Sequence, residues 1–261
     1  MKQRKAFTLT ELLVLVVLGA LLTTFLLAAS SDSKQQLQAA ACLNNMRQWG
    51  LGFMMYADDY NDYFPFDGNN GDPCAAANVW AWYNVVPPYL GQKPLCQLYN
   101  AGTPPTPLSK GIWTCPSATL TNVAPTLTNP YFMYGMSTCW HSLNTGRGLR
   151  RNRMTSPTNT ILFCEASEDN FGETNGRYLN LVPYDFVPGI GARHFAGANF
   201  VFGDGHAGWI AFTNFCRQGN TGCPPPLSNI EWDNSGPGGD WKAGVVKYHW
   251  WPFVFANTSS E

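Results

Sequence analysis

Charge is scarce in this sequence. Asp, Glu, Lys and Arg make up 13% of the chain, against about a quarter of an ordinary soluble domain. The 16 basic residues are balanced by 17 acidic ones, for a net charge of −1. That balance gives no sign of a polyanion-binding surface, and no nucleic-acid partner is expected. Cysteines at CxxC spacing are also missing, which disfavours a zinc ribbon or a thioredoxin-like redox site. GxSxG, HExxH and P-loop patterns are absent as well. No enzymatic activity, cofactor or metal is therefore expected.

What fills the space is aromatic and loop-forming. Phe, Trp and Tyr make up 14%, with ten Trp, beside 25 Gly and 19 Pro. Such a chain is rich in loops, and large rings should hold its core. Eight cysteines beyond an export-type N-terminus point to disulfides in an oxidising compartment. Cys216 and Cys223 make the best local pair, in a Gly-rich loop, and Cys74 with Cys96 is a second. Cys164, inside the apolar run TILFCEA, reads as a buried thiol.

The N-terminus is the most informative stretch. Lys2, Arg4 and Lys5 precede Phe7–Ala29, where Glu11 is the single charge. Leu12–Ala29 gives 18 residues without a charge, long enough to read as a spanning helix with its basic leader in the cytoplasm. Helical spacing continues beyond it. Ala39, Cys42, Leu43, Met46, Trp49, Gly50, Phe53, Ala57 and Tyr60 recur at gaps of three and four, with Lys34, Gln38, Asn45 and Gln48 mostly elsewhere. One helix is predicted from about Phe7 to about Asp58, apolar all round at first and amphipathic afterwards. Gly50 and Gly52 are candidate bends, and NDYFP, ending at Pro65, marks its end.

Further on, VWAWYNVV reads as a short helix, and IWTCPS and YFMYGMS as short strands. NTILFCEA (159–166) and the two runs flanking Asp204-Gly205 in ANFVFGDGHAGWIAF (198–212) are the clearest strands, the latter a hairpin. VVKYHWWPFVF reads as an edge strand interrupted by Pro252. The expected fold is α+β, a long N-terminal helix packed on an antiparallel sheet with long loops. The organisation expected is a leader (1–6), an apolar helix (7–29), its amphipathic continuation (30–60) and a β-rich domain (61–261).

Polar groups elsewhere read as surface. Arg147, Arg150, Arg151 and Arg153 form a solvated basic loop, and Glu165, Glu168 and Asp169 a solvated turn at a strand end. Trp232 and Trp241 lie in a Gly-rich loop, suited either to packing or to stacking on a sugar face.

The order of residues in KAFTLTELL resembles the class III signal of type IV prepilins and type II secretion pseudopilins. That resemblance implies cleavage between Ala6 and Phe7 by a prepilin peptidase, N-methylation of Phe7 and retention of the apolar helix. It also implies that Glu11 pairs with a neighbouring subunit's Phe7 amine during assembly, which offsets the cost of a buried charge. The alternative for Glu11 is a position at headgroup depth. Ala6 stands where family members usually have Gly, and Thr10 where Ile is more usual.

His194, nine residues, then Asp204-Gly205, together with CPS (115–117), YGMS (134–137) and YADDYNDYFP (56–65), resembles the H-X9-DG prepilin-type family. Asp204-Gly205 fits a type I′ turn, in which both central residues take positive φ. His194 then enters the first arm of the hairpin and fixes a sheet edge. A metal held by His194, Asp204 and His206, or Ca²⁺ at Asp204, is the alternative use of these residues.

Two functional readings follow. One is a structural subunit of a pilus-like or secretion filament, first in the inner membrane and then facing outward. Its partners would be prepilin peptidase, other pilin-like subunits and an inner-membrane assembly platform. The other is a membrane-tethered extracytoplasmic binding module, for instance for glycans, that uses the same signal. An exported hydrolase is a distant third.

Overall fold

The computed structural model describes residues 8–68, 72–118, 125–128, 131–137, 149–166, 180–181, 190–191 and 193–211, with backbone alone for 22–32 and 180–181. A single helix, α1 (Leu9–Asp59), runs for 51 residues. Its start is fixed by a capping box. Glu11 N–H donates to Thr8 Oγ1, while the Glu11 carboxylate accepts from Thr8 N–H at 2.9 Å and Thr8 Oγ1–H at 2.8 Å.

The two halves of α1 differ in surroundings. Leu9, Leu12, Leu13 and Leu21 are all more than half exposed. From Cys42 onward the helix presents a buried face made of Cys42, Met46, Trp49, Gly50, Phe53 and Ala57, as its spacing predicts. Leu43 is half-buried and Tyr60 exposed. Asn45, expected on the outer side, is buried: its Nδ2 donates to the carbonyls of Gly111 at 3.0 Å and Thr114 at 3.1 Å. Gln38 Nε2 donates to the Pro116 carbonyl at 2.9 Å. These amides satisfy carbonyls in the segment around Cys115, whose backbone is turn rather than the strand expected for IWTCPS.

Short helices α2 (Trp82–Val85) and α3 (Leu95–Asn100) follow, and the Cys74–Cys96 disulfide ties α3 to the loop before α2. The sheet has the order β3-β1-β2-β4-β5, with β1 Tyr134–Ser137, β2 Ile161–Glu165, β3 Asn180–Leu181, β4 Gly197–Phe202 and β5 Ala207–Ala211. All neighbours are antiparallel except β1 with β3. The fold is α+β. The core is aromatic, as composition suggests. Trp49 stands edge-on to Trp82 at 5.2 Å and to Trp113 at 5.3 Å, and Phe163 meets Trp82 at 4.9 Å. Trp49 Nε1 donates to the Ile112 carbonyl at 2.8 Å.

The basic cluster is only partly a solvated loop. Arg151 donates to Asp62 Oδ1 at 2.6 Å and to Asp58 Oδ1 at 2.7 Å, and Arg150 lies over the Tyr63 ring at 4.6 Å. The arginines hold the end of α1 because the chain reverses there through Asn61 and Asp62, whose φ angles are +54° and +65°.

Gly50 and Gly52 serve close approach. A Cβ on Gly50 would sit 2.1 Å from the Gly205 carbonyl oxygen, and one on Gly52 would sit 2.7 Å from Val86. Helix and hairpin turn therefore touch backbone to backbone. Gly50→Ala is expected to destabilise the domain by roughly 1–3 kcal/mol through overpacking, measured as a lowered urea midpoint by tryptophan fluorescence. An unchanged midpoint would refute this contact.

Candidate functional site

Four chain segments converge beneath α1. Cys42 comes from the helix, Cys115 from the loop that Asn45 and Gln38 grip, Glu165 from the end of β2, and His194 from the turn before β4. Their ligand-type atoms all lie within 4.8 Å of one another, and all four residues are buried. His194 Nε2 lies 3.0 Å from Glu165 Oε1 and 3.2 Å from Cys115 Sγ. The Cys42 thiol donates to Glu165 Oε1 at 2.5 Å, and its sulfur is 3.4 Å from the Tyr134 hydroxyl. Asn199 supports the carboxylate through its backbone N–H to Oε2 at 2.9 Å and its Nδ2 to Oε1 at 3.2 Å.

Glu165 corrects the sequence reading. Expected on a solvated turn with Glu168 and Asp169, it is 0% exposed. Glu168 and Asp169 lie outside the described residues. Burial opposes ionisation of Glu165, but the His194 hydrogen bond and the Arg193 charge outweigh it and hold the carboxyl below its usual range. Arg193 Nη1 donates to the Ala166 carbonyl at 2.5 Å; its Nε and Nη2 are buried without a hydrogen-bond partner among the described residues. Burial pushes His194 down, yet its bonds with Cys115 and Glu165 raise it to about 9. The hydrogen bond from Cys42, then that from His194, lowers the Cys115 thiol to about 5. Burial pushes Cys42 up, and Cys164, a buried free thiol as expected, goes up for the same reason.

A thiol, an imidazole and a carboxylate in sequence is also the arrangement of a nucleophilic site. Here Cys115 is 1% exposed and His194 2%, so both functional atoms are buried.

The family-motif residues divide into two groups. His194 forms a tight turn with Gly197, whose two backbone bonds measure 3.0 and 2.9 Å. Phe195 and Ala196 between them have φ of +51° and +53°. The I′-type geometry expected at Asp204-Gly205 is therefore found here, before β4. At the hairpin itself only Gly205 takes positive φ, +87°, and the connection has four residues, Gly203 to His206. Asp204 Oδ1 is 2.6 Å from His206 Nδ1, and His206 stacks on Phe202 at 4.4 Å. His194 is thus engaged with Cys115 and Glu165, while Asp204 and His206 pair with each other. Residues 203–208, GDGHAG, also spell the glycine pattern of dinucleotide-binding loops. They join two antiparallel strands and open no helix, so no phosphate cradle forms.

Of the remaining candidates, Glu11 caps its own helix, and Cys74–Cys96 is bonded as expected. Ala6, Phe7, Cys216, Cys223, Trp232, Trp241 and the edge strand at Pro252 lie outside the described residues.

Residues 38–176, just over half the chain, match the model of a family described as protein of unknown function (DUF1559). The chain belongs to that family. No curated protein and no solved structure matches it. The matched stretch contains Cys42, Cys115 and Glu165, and ends before His194.

Replacing Glu165 with Leu should destabilise the domain by about 3–5 kcal/mol, because Arg193 is left as a buried charge without its partner. Equilibrium urea unfolding measures this, and a loss below 1 kcal/mol would contradict the assigned role.

Proposed function

We propose that the chain is a structural subunit of a type IV pilus-like or type II secretion filament, cut by prepilin peptidase between Ala6 and Phe7. The observation that carries this reading is the division of α1. Its C-terminal half is built into the head domain, whereas the apolar side chains of Leu9 and of Leu12 to Leu18 are exposed. An apolar surface of that length has to be covered by lipid or by other helices. Among the described residues no helix is long and apolar enough to cross a membrane, and residues 22–32 contribute backbone only. Family membership is compatible with a pilin-like extracellular protein, and the spacing from His194 to Asp204-Gly205 matches the H-X9-DG prepilin-type pattern.

In this reading the chain enters the inner membrane with its leader in the cytoplasm. The platform extracts the trimmed subunit, the N-terminal helices bundle, and the heads face outward. Glu11 has two successive tasks. In the free subunit its carboxylate closes the capping box with Thr8; in the filament the same carboxylate meets a neighbour's Phe7 amine. The capping box keeps the charge hydrogen-bonded until that amine arrives.

Mass spectrometry of the mature N-terminus should find N-methyl-Phe7, and electron microscopy of sheared surface material should find filaments. Glu11→Ala should abolish or disorder those filaments while the head remains folded by circular dichroism. A mature protein that retains Met1 to Ala6 would sink the proposal.

A further inference from the structure

We propose that Cys42, Cys115, Glu165 and His194 bind one divalent transition-metal ion of the zinc class in a closed structural site. This inference stands independently of the filament reading. Thiolate, imidazole and carboxylate are all donor types that zinc takes, and structural zinc sites hold four donors. With metal–ligand bonds of about 2.0–2.3 Å, tetrahedral donors lie roughly 3.2–3.8 Å apart. His194 Nε2 sits 3.2 Å from Cys115 Sγ and 3.0 Å from Glu165 Oε1, and the whole set falls within 4.8 Å. Each ligand comes from a different segment, so none of the short ligand spacings that mark zinc motifs in sequence is present.

The hydrogen bonding gives a second, separate observation. A single N–H on Nε2 can serve either Cys115 or Glu165 well, yet Nε2 faces both. Glu165 Oε1 is approached by Cys42, His194 and Asn199 together, and Cys42 Sγ lies only 2.5 Å from it. One cation shared among the four donors accounts for their convergence better than pairwise proton sharing. Binding displaces the protons that Cys42 and His194 hold in the free site, so that two thiolates and a neutral imidazole face the ion. The charges then balance. Two thiolates and Glu165 contribute three negative charges, which the ion and the buried Arg193 guanidinium neutralise. Arg193 belongs to this site because its guanidinium charge faces Glu165 and Cys115. The outer layer is in place too, with Asn199 on both carboxylate oxygens and the Tyr134 hydroxyl against Cys42. A groove of about 410 Å³ between Ala39, Leu43, Phe195 and Trp209 reaches His194 and Asn199 and supplies an entry path.

The test uses the full chain, purified in detergent from the oxidising compartment without chelator. Elemental analysis should give about one zinc per chain. After the metal is stripped, Co²⁺ should restore a visible spectrum of tetrahedral thiolate coordination. Cys115→Ser and His194→Ala should drop the content to below about 0.1 per chain, and Asn199→Ala should weaken affinity 10- to 100-fold. Cys216→Ser/Cys223→Ser should keep the metal, which assigns it to the buried site. Because the ligand variants risk misfolding, the decisive measurement is on the unaltered protein. Folded chain that carries no zinc and takes up no Co²⁺, or peptide mapping that finds Cys42 and Cys115 joined as a disulfide, overturns the proposal.

Discussion

The fold depends on one buried carboxylate. Glu165 ends β2 at the centre of the sheet and receives contacts from α1, from β4 and from the turn that carries His194. A charge at 0% exposure is tolerable only if every lone pair is met and a counter-charge lies close. Asn199, His194, Cys42 and Arg193 meet those demands together. The carboxylate thereby fixes the depth of the helix over the sheet and the position of the Cys115 loop.

The aromatic core does a different job. Trp49, Trp82, Trp113 and Phe163 bury large areas in tilted and edge-on contacts. Such packing drives association of helix and sheet but tolerates small slides along the helix axis. Two features remove that freedom. Gly50 admits the Gly205 backbone at one point only, and Asn45 must reach two specific carbonyls at once. Apolar area supplies the drive, and directional contacts set the register.

Much of this was legible in the sequence, for identifiable reasons. The long helix announced itself because gaps of three and four between Cys42, Met46, Trp49, Phe53 and Ala57 are local information. The strands at 161–165 and 197–211 were visible from β-branched and aromatic runs around a turn pair. The candidate site was not. Cys42, Cys115, Glu165 and His194 are far apart in the chain, and their meeting follows from tertiary packing that no periodicity encodes. Glu165 was misread because acidic residues at strand ends usually face water, and Glu168 and Asp169 strengthened that impression. Asn45 was misread because a polar residue on a helix usually avoids the core; here the loop carbonyls required a donor. The type I′ geometry was assigned to Asp204-Gly205 on turn chemistry, but it falls at Phe195-Ala196, where the bonds between His194 and Gly197 hold two non-glycine residues at positive φ.

The position of the cluster along α1 links the head to the projecting helix. Among the described residues, Cys42 is the first buried residue of α1 from its N-terminal end. It is therefore the point at which the helix enters the domain. In the proposed filament, a load along the exposed half would reach the domain at this end of the buried face, and would peel the helix from the sheet one turn at a time if only apolar contacts resisted. Apolar contacts yield gradually, whereas a satisfied buried polar cluster must break as a unit, since each group left without its partner bears its full desolvation cost. Placing Cys42, Glu165, His194 and Cys115 at the entry turn, with Gln38 bonded to the Pro116 carbonyl one turn ahead, puts the least compliant contacts where peeling begins.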